Sequence, residues 1–189
     1  MRLKTINNII TVAIIAVICC FAFFAYNHFV NRYETAVYPR QYQEEVSRAA
    51  AEFSVPEYII YAVIRTESSF KADAVSSKDA VGLMQVTPDT FNWLLSKSGE
   101  KLTSDKLYDP MINISYGTRF LSMLYEEFGD WKTVYAGYNA GMNRVRKWLL
   151  DPELSNGKEL LEIPFKETRQ YVERVAEAVE IYKRLYYSK

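Results

Sequence analysis

Residues 54–68 read SVPEYIIYAVIRTES, and this stretch decides the predicted fold class. Ser54 and Glu57 have the spacing of a capping box, and Pro56 suits the first position of a helix because it has no N–H group to satisfy. The residues that follow are mostly apolar and recur at helical spacing. The stretch therefore predicts an amphipathic helix that runs to about Ser68.

Glu67 lies on the apolar face of this predicted helix, together with Ile59, Ala62 and Val63. It also falls in the last turn, near the negative end of the helix dipole. Desolvation and the dipole both disfavour the ionised form, so both should raise the pKa of Glu67, as a general acid near neutral pH requires. The alternative is a boundary glutamate that turns outward or pairs with a nearby cation such as Arg65.

Helix starts and stops recur along the rest of the sequence after Gln41. Helix-breaking residues and apolar periodicity predict five more helices, at residues 87–99, 113–128, 131–139, 143–150 and 164–185. Thr87 opens the first of these and Gly99 closes it, and Gly129 follows the end of the second. No stretch of strand length alternates between apolar and polar residues, so the predicted class is all-α. The loop from Phe70 to Leu83 is long for a connection between helices, which favours a functional role for it.

The N-terminal stretch is unlike the rest of the chain. From Ile9 to Tyr26 only Thr11 interrupts a run of apolar and aromatic residues, and no charge falls between Lys4 and Arg32. A run of about 20 such residues can span a membrane as a helix. The basic residues that precede it predict a cytoplasmic N-terminus.

This pattern predicts three segments. Residues 1–30 hold the cytoplasmic N-terminus and a transmembrane anchor, residues 31–40 form a stalk, and residues 41–189 form the folded domain. The expected location is the cell membrane, crossed once, with the folded domain on the extracytoplasmic side. The alternative is a signal peptide that is cleaved on export.

The residue inventory excludes several kinds of chemistry. Cys19 and Cys20 lie inside the apolar run and the single histidine, His28, lies at its edge. The exported part therefore offers no thiol nucleophile, no disulfide, no Ser-His arrangement and no Cys- or His-built zinc site. The 23 basic and 23 acidic residues balance, and no basic run occurs, which argues against nucleic acid as a partner.

Four ordered blocks carry a resemblance to a known family. They read ESSF at 67–70, AVGLMQVTP at 80–88, AGYNAG at 136–141 and PFKETRQYV at 164–172, with DP at 109–110, NI at 113–114 and GT at 117–118 between them. They resemble the catalytic signature of lytic transglycosylases, in the soluble-lytic-transglycosylase branch with a goose-lysozyme-like catalytic domain. The resemblance extends from about Val46 to Val179.

The resemblance implies a lysozyme-like, all-α fold with a cleft for peptidoglycan glycan strands. It implies cleavage of the β-1,4 bond between N-acetylmuramic acid and N-acetylglucosamine to give 1,6-anhydro-muramic ends, without a metal or an organic cofactor. By block matching, Glu67 is the single general acid/base and Tyr171 is the second catalytic residue. Tyr171 and Ser68 are the candidates for holding Glu67 in place. The residues matched to substrate binding are Ser68, Met84, Gln85, Tyr138, Asn139 and Glu167.

The spacing in the last predicted helix agrees with part of this assignment. Glu167, Tyr171, Val175 and Val179 fall four apart, which predicts that the first two continue a buried stripe. From the spacing alone, Tyr171 could equally be a core tyrosine with a hydrogen-bonded hydroxyl. Asn139 could likewise simply end a helix. The resemblance favours a functional role at both positions.

Two positions depart from the family pattern. Asp79 stands where glycine is common, and aspartate tolerates a positive φ better than most residues but less well than glycine. Gly137 stands where alanine is commoner. Both changes concern the shape of the backbone near the cleft and not a proposed catalytic atom.

Two other functions stay open from the sequence. A lysozyme-type muramidase would activate a water and would need a second carboxylate near the cleft, for which Asp73 and Asp79 are the candidates. A non-catalytic glycan-binding or cell-division scaffold would keep the cleft without needing a buried acid. Proteins of cell-wall synthesis or division are candidate partners of the anchored chain.

Overall fold

The computed structural model describes residues 2–188, with side chains from residue 14 onward. The chain divides into two compact units, with the boundary between Pro39 and Arg40. The first unit holds a single helix, and the second holds the remaining helices.

The first unit is the helix α1, Arg2–Val37. Its part Ile14–Val37 is long and apolar enough to cross a membrane by length and composition, a test that a signal sequence also passes. The predicted anchor falls on this helix, and residues 31–37 of the predicted stalk continue it. Met1, at the predicted cytoplasmic end, lies outside the described residues.

The second unit is all-α, as predicted. Its α-helices are α2 Gln43–Phe53, α3 Glu57–Glu67, α4 Pro88–Ser98, α5 Pro110–Phe128, α6 Trp131–Ala140, α7 Met142–Leu149 and α8 Lys166–Tyr182. A 3-10 helix, Ser104–Tyr108, precedes α5, and a π-helix, Lys183–Tyr187, follows α8. Between residues 2 and 188 the only β-structure consists of isolated bridges.

The helix α3 forms the centre of this unit. The predicted apolar face is buried, but Ile60 and Ile64 on the other faces are also fully buried, because α2 and α8 pack against α3. Tyr61 stacks on Tyr182 of α8, with ring centroids 5.5 Å apart. Each buried aliphatic side chain contributes about 1.5–3 kcal/mol to stability, so the end of α3 is held firmly by its surroundings.

Several predicted helix ends are confirmed. Thr87 caps α4 by accepting a hydrogen bond from the Thr90 N–H at 3.2 Å, and Gly99 ends α4 with φ 75°. Gly129 ends α5 with φ 70°, as the sequence predicts. These ends depend on local backbone chemistry, so the local sequence is enough to locate them.

The predicted capping box at Ser54 is wrong. Ser54 has φ 55° and ends α2, and Pro56 precedes α3 without a side-chain cap. The Glu57 carboxylate instead accepts hydrogen bonds from Ser47 Oγ at 2.5 Å and from Tyr187 OH at 2.6 Å. Glu57 therefore links α2 and the C-terminal π-helix to the start of α3.

Two predicted helix starts are displaced. The helix α5 begins at Pro110 and not at Asn113, because Asp109 caps it by accepting from the Met111 N–H at 2.9 Å. The helix α8 begins at Lys166, two residues after Pro164.

Candidate active site

Glu67 is the last residue of α3 and lies where the core meets the surface. Its side chain is largely enclosed but keeps partial contact with solvent. Burial raises its pKa from 4.5 to about 7, although the Tyr171 hydroxyl and the Arg174 charge both lower it. The acid is therefore desolvated enough to hold its proton near neutral pH and open enough to be reached. The cation that lowers the pKa of Glu67 is Arg174, while Arg65 Nη1 donates to Ser69 Oγ at 2.8 Å.

Tyr171 reaches Glu67 from α8, which packs along α3. Burial, followed by the Glu67 charge, raises the pKa of Tyr171 well above its ordinary value, so the hydroxyl keeps its proton. The hydroxyl is close enough to lower the pKa of Glu67, yet no acceptor among the described residues meets the distance and angle of a full hydrogen bond. Tyr171 is thus a buried donor placed beside the acid.

Two predicted site residues hold the loop that follows Glu67. Ser68 Oγ donates to Leu83 O at 2.8 Å, and Tyr138 OH donates to Met84 O at 2.8 Å. After burial, the Glu67 charge also raises the pKa of Tyr138, so the Tyr138 hydroxyl lies within electrostatic range of the carboxylate. These hydrogen bonds fix the loop at the end of α3.

Met84 and Gln85 belong to this loop and are anchored differently. The Met84 side chain is fully buried against Gly117, where an added Cβ would lie 2.6 Å from its Sδ. Gln85 has φ 49°, and its Nε2 donates to Ala74 O at 3.1 Å and to Gly82 O at 2.9 Å. Both side chains contribute to the shape of the loop.

Asn113 is a site residue that the sequence did not single out as functional. Its side chain is 1% exposed. Its Nδ2 donates to Val81 O and Leu107 O, and its Oδ1 accepts from the Met84 N–H, all at 2.8 Å. The signal that could have found it is a polar residue directly before Ile114, on the apolar face of the predicted helix.

Asn139 and Glu167 lie at the junction of α6 and α8. Asn139 Oδ1 accepts from Thr168 Oγ1 at 2.8 Å. The prediction that Glu167 continues the buried stripe of Tyr171 is wrong, because the Glu167 side chain is 74% exposed and pairs with Lys78 Nζ at 3.6 Å. Thr168, which is 2% exposed, occupies the buried face in the first turn of α8.

No second carboxylate acts on Glu67 within the described chain. Asp73, Asp79 and Asp89 are exposed, and none of them is among the groups that shift the pKa of Glu67. Asp79 has φ 58°, which is the backbone conformation that favours glycine and that aspartate tolerates.

Gly137, the second departure from the family pattern, has a packing reason. An added Cβ there would lie 2.9 Å from Phe128 Cε2 and 3.2 Å from Leu124 Cδ2. Glycine therefore makes room for the Phe128 ring between α5 and α6.

A comparison with protein families covers the part of this site before α8, and it ends ahead of Glu167 and Tyr171. The family model described as the transglycosylase SLT domain matches residues 44–161. The chain belongs to this family. The match includes Glu67 and the loop that Asn113 organises.

Named relatives of the SLT domain agree with this assignment. The soluble lytic murein transglycosylase of Escherichia coli is 33% identical over 144 residues, which are 73% of this chain and 22% of that protein. Membrane-bound lytic murein transglycosylase C of Haemophilus influenzae is 32% identical over 117 residues, 56% of this chain and 33% of that protein. The chain spans less than a quarter of the length of the soluble relative.

A solved structure shows the same fold. The X-ray structure of an inactive mutant of the lytic transglycosylase Slt from Pseudomonas aeruginosa, with glutamine in place of a glutamate, matches with a TM-score of 0.70 and 36% identity. The match covers 78% of this chain and 24% of that one. The second unit thus has the lysozyme-like SLT fold.

Proposed function

We propose that this chain is a peptidoglycan lytic transglycosylase that cleaves the β-1,4 bond between N-acetylmuramic acid and N-acetylglucosamine. The observation that carries the proposal is Glu67, whose pKa burial raises to about 7 beside the Tyr171 hydroxyl. The family match and the names of the relatives support it. So does the inactive glutamate-to-glutamine mutant of the Pseudomonas aeruginosa protein.

Glu67 is proposed as the single general acid and base. In the first step it gives its proton to the departing glycosidic oxygen while the muramic ring acquires oxocarbenium character. The substrate's own N-acetyl group stabilises the cation. The Tyr171 hydroxyl, which keeps its own proton, stabilises the carboxylate that Glu67 becomes.

In the second step the ionised Glu67 takes the proton from the C6 hydroxyl of the same muramic sugar. That oxygen attacks C1 and closes a 1,6-anhydro ring, so Glu67 ends the cycle protonated and no water is consumed. The nucleophile belongs to the same ring, which gives an intramolecular advantage. The sequence of steps needs no second carboxylate, in keeping with the exposed positions of Asp73, Asp79 and Asp89.

The six residues matched to substrate binding are proposed to form the cleft around this acid. Hydrogen bonds and packing support a role in shaping the cleft for Ser68, Met84 and Gln85. Tyr138 and the next residue, Asn139, are proposed to lie beside the bond that is cleaved. Glu167, on the exposed rim of α8, is proposed to contact the glycan directly.

The helix α1 is proposed to anchor the chain in the cell membrane with a single pass. Its part Ile14–Val37 is long and apolar enough, and Arg2 and Lys4 precede it in the sequence. A membrane-bound relative is consistent with this location. The domain from residue 41 onward would then lie outside the cytoplasm, on the side where peptidoglycan lies.

The test is the release of muropeptides from purified peptidoglycan by the full chain in detergent. We expect Glu67→Gln to keep the fold and to lose about 10²–10⁴-fold in rate, because an amide cannot transfer the proton. Glu173→Gln, which removes an exposed carboxylate from α8, is the matched control and should keep the wild-type rate. Wild-type release by Glu67→Gln would refute the assignment.

A further inference from the structure

A groove bordered by α4, α5 and α7 lies next to the proposed cleavage site. It encloses about 670 Å³, which is within the range of ligand pockets in proteins. Trp93 and Phe120 provide an aromatic side, with ring centroids 6.2 Å apart. Trp93 is 36% exposed, so its ring is accessible from the groove.

The groove begins where the residues assigned to cleavage end. Ala140 and Gly141 line it and directly follow Asn139 in the chain. The ring centroids of Phe120 and Tyr138 lie 5.3 Å apart. The Glu67 charge in turn raises the pKa of Tyr138, which places the Tyr138 hydroxyl within electrostatic range of Glu67. A long ligand bound at Glu67 can therefore continue into this groove.

The charged side chains of the groove are mostly basic. The groove is lined by three basic side chains, Lys97, Arg144 and Arg146, and by one carboxylate, that of Asp89. Arg146 is matched by Glu127, with 2.7 Å between Nε and Oε1. Among the ion pairs of the described residues, none involves Lys97 or Arg144. Two cations of the groove are thus left for an anionic ligand.

Arg144 is also held in place. Its guanidinium carbon lies 5.0 Å from the centroid of the Phe165 ring, a cation–π contact that restricts the side chain. A guanidinium stacked in this way keeps its N–H groups at its edge, where they suit a carboxylate. Arg144 is therefore a partly ordered donor and not a freely moving surface charge.

We infer that this groove binds the anionic peptide stem of a glycan strand, with Lys97 and Arg144 pairing with the stem carboxylates. The inference rests on the proposed function, because a peptidoglycan strand at Glu67 is what brings a peptide stem to the groove. In a strand that carries stems, N-acetylglucosamine is uncharged and the lactyl carboxylate of N-acetylmuramic acid is bonded to the stem as an amide. The negative charges that two unmatched cations can meet are therefore those of the stem. Charge-assisted hydrogen bonds from Arg144 and Lys97 to carboxylates would favour strands that carry stems.

The test measures binding and not turnover. Full-length Glu67→Gln chain in detergent is titrated with glycan strands that carry peptide stems and with stripped strands. The stripped strands are the same strands after an amidase has removed the stems and the lactyl carboxylates that it frees have been converted to neutral methylamides. Adding Lys97→Ala and Arg144→Ala should raise the Kd for stem-bearing strands about tenfold and reduce the preference over stripped strands by a similar factor. Asp89→Asn should change the Kd in the opposite direction, because it removes the one carboxylate of the groove.

The matched control is the pair Lys106→Ala and Lys147→Ala, which removes two exposed charges outside the groove and should leave both Kd values unchanged. An unchanged Kd in the groove variant would overturn the inference, and so would an equal loss for both kinds of strand. If the groove variant responds as expected but wild-type chain cleaves neither strand, the proposed enzymatic function fails while the groove assignment stands.

Discussion

At Glu67 the loss of hydration outweighs two opposing interactions. Both the Tyr171 hydroxyl and the Arg174 guanidinium favour the carboxylate, and the pKa nevertheless rises from 4.5 to about 7. The proposed general acid is therefore partly protonated near neutral pH, and the Tyr171 hydroxyl lies beside it to stabilise the carboxylate once the proton has left.

The pH dependence of the reaction should respond to Tyr171→Phe. Because the hydroxyl lowers the pKa of Glu67, its removal should raise that pKa and shift the alkaline limb of kcat/KM, near pH 7 in the wild type, to higher pH. Tyr116→Phe is the matched control, since Tyr116 also has a buried hydroxyl without a full hydrogen bond. An alkaline limb that stays in place in Tyr171→Phe would contradict the role given to the hydroxyl.

Glu67→Gln should stabilise the fold in a pH-dependent way. The folded chain holds the Glu67 proton more tightly than the unfolded chain, so wild-type stability falls as pH rises from about 4.5 to about 7. Glutamine does not titrate, so the free energy of unfolding of Glu67→Gln should exceed that of the wild type by roughly 3 kcal/mol at pH 8 and by little at pH 4. Denaturant unfolding at the two pH values measures it, and an equal difference at both would count against a desolvated acid.

Some residues of the site could not be predicted because their roles depend on tertiary contacts. The sequence predicted Glu67 and its raised pKa, since the apolar helix face that desolvates Glu67 is visible in one short stretch of sequence. It did not predict that Asn113 organises the loop, because the three groups that it binds come from distant positions. It misplaced Glu167, because a row of residues four apart turns by about 40° at each step of an α-helix, so that Thr168 and not Glu167 shares the buried face with Tyr171.

At the scale of elements, the loop between α3 and α4 is built around a close backbone contact. Gly82 has φ 78°, and an added Cβ would collide with the Asn113 amide and lie 2.7 Å from Leu107 O. Asn113, Ser68 and Tyr138 all bind the backbone of this loop. The loop is therefore fixed by buried hydrogen bonds. Removing one partner of such a bond lowers the stability of the fold by about 1–3 kcal/mol.

Gly82→Ala should reduce stability and activity together. Its strained φ alone costs about 1–2 kcal/mol, and displacement of the Asn113 amide adds to that cost. Gly157→Ala is the matched control, because Gly157 also has a positive φ, 87°, but open space around it. Thermal unfolding and muropeptide release measure both effects. Equal losses in the two variants would show that space at Gly82 does not matter.

Helix ends were predictable where they depend on neighbours in sequence. Thr87, Gly99 and Gly129 act as the sequence suggests. Ser54 does not, because it ends α2 in a left-handed conformation, and Glu57 turns to Ser47 and Tyr187 instead. A local pattern could not distinguish the end of one helix from the start of the next when both fall within four residues.

At the scale of the whole molecule, the proposed topology has α1 spanning the membrane and the domain from residue 41 onward outside the cytoplasm. We expect a C-terminal alkaline phosphatase fusion to be active and a C-terminal fusion to a fluorescent protein that matures only in the cytoplasm to be dark. Replacing residues 1–30 with a hydrophilic segment keeps the chain in the cytoplasm. The phosphatase fusion should then be inactive and the fluorescent fusion bright. A fluorescent fusion of the intact chain would contradict the proposed orientation.

The most direct test of the proposed chemistry is mass spectrometry of the products that the full chain releases from peptidoglycan. A single acid that returns its proton through the C6 hydroxyl predicts muramic ends that are lighter by one water than hydrolysed ends. Reducing muramic ends formed by addition of water would contradict it and would point to hydrolysis by a muramidase.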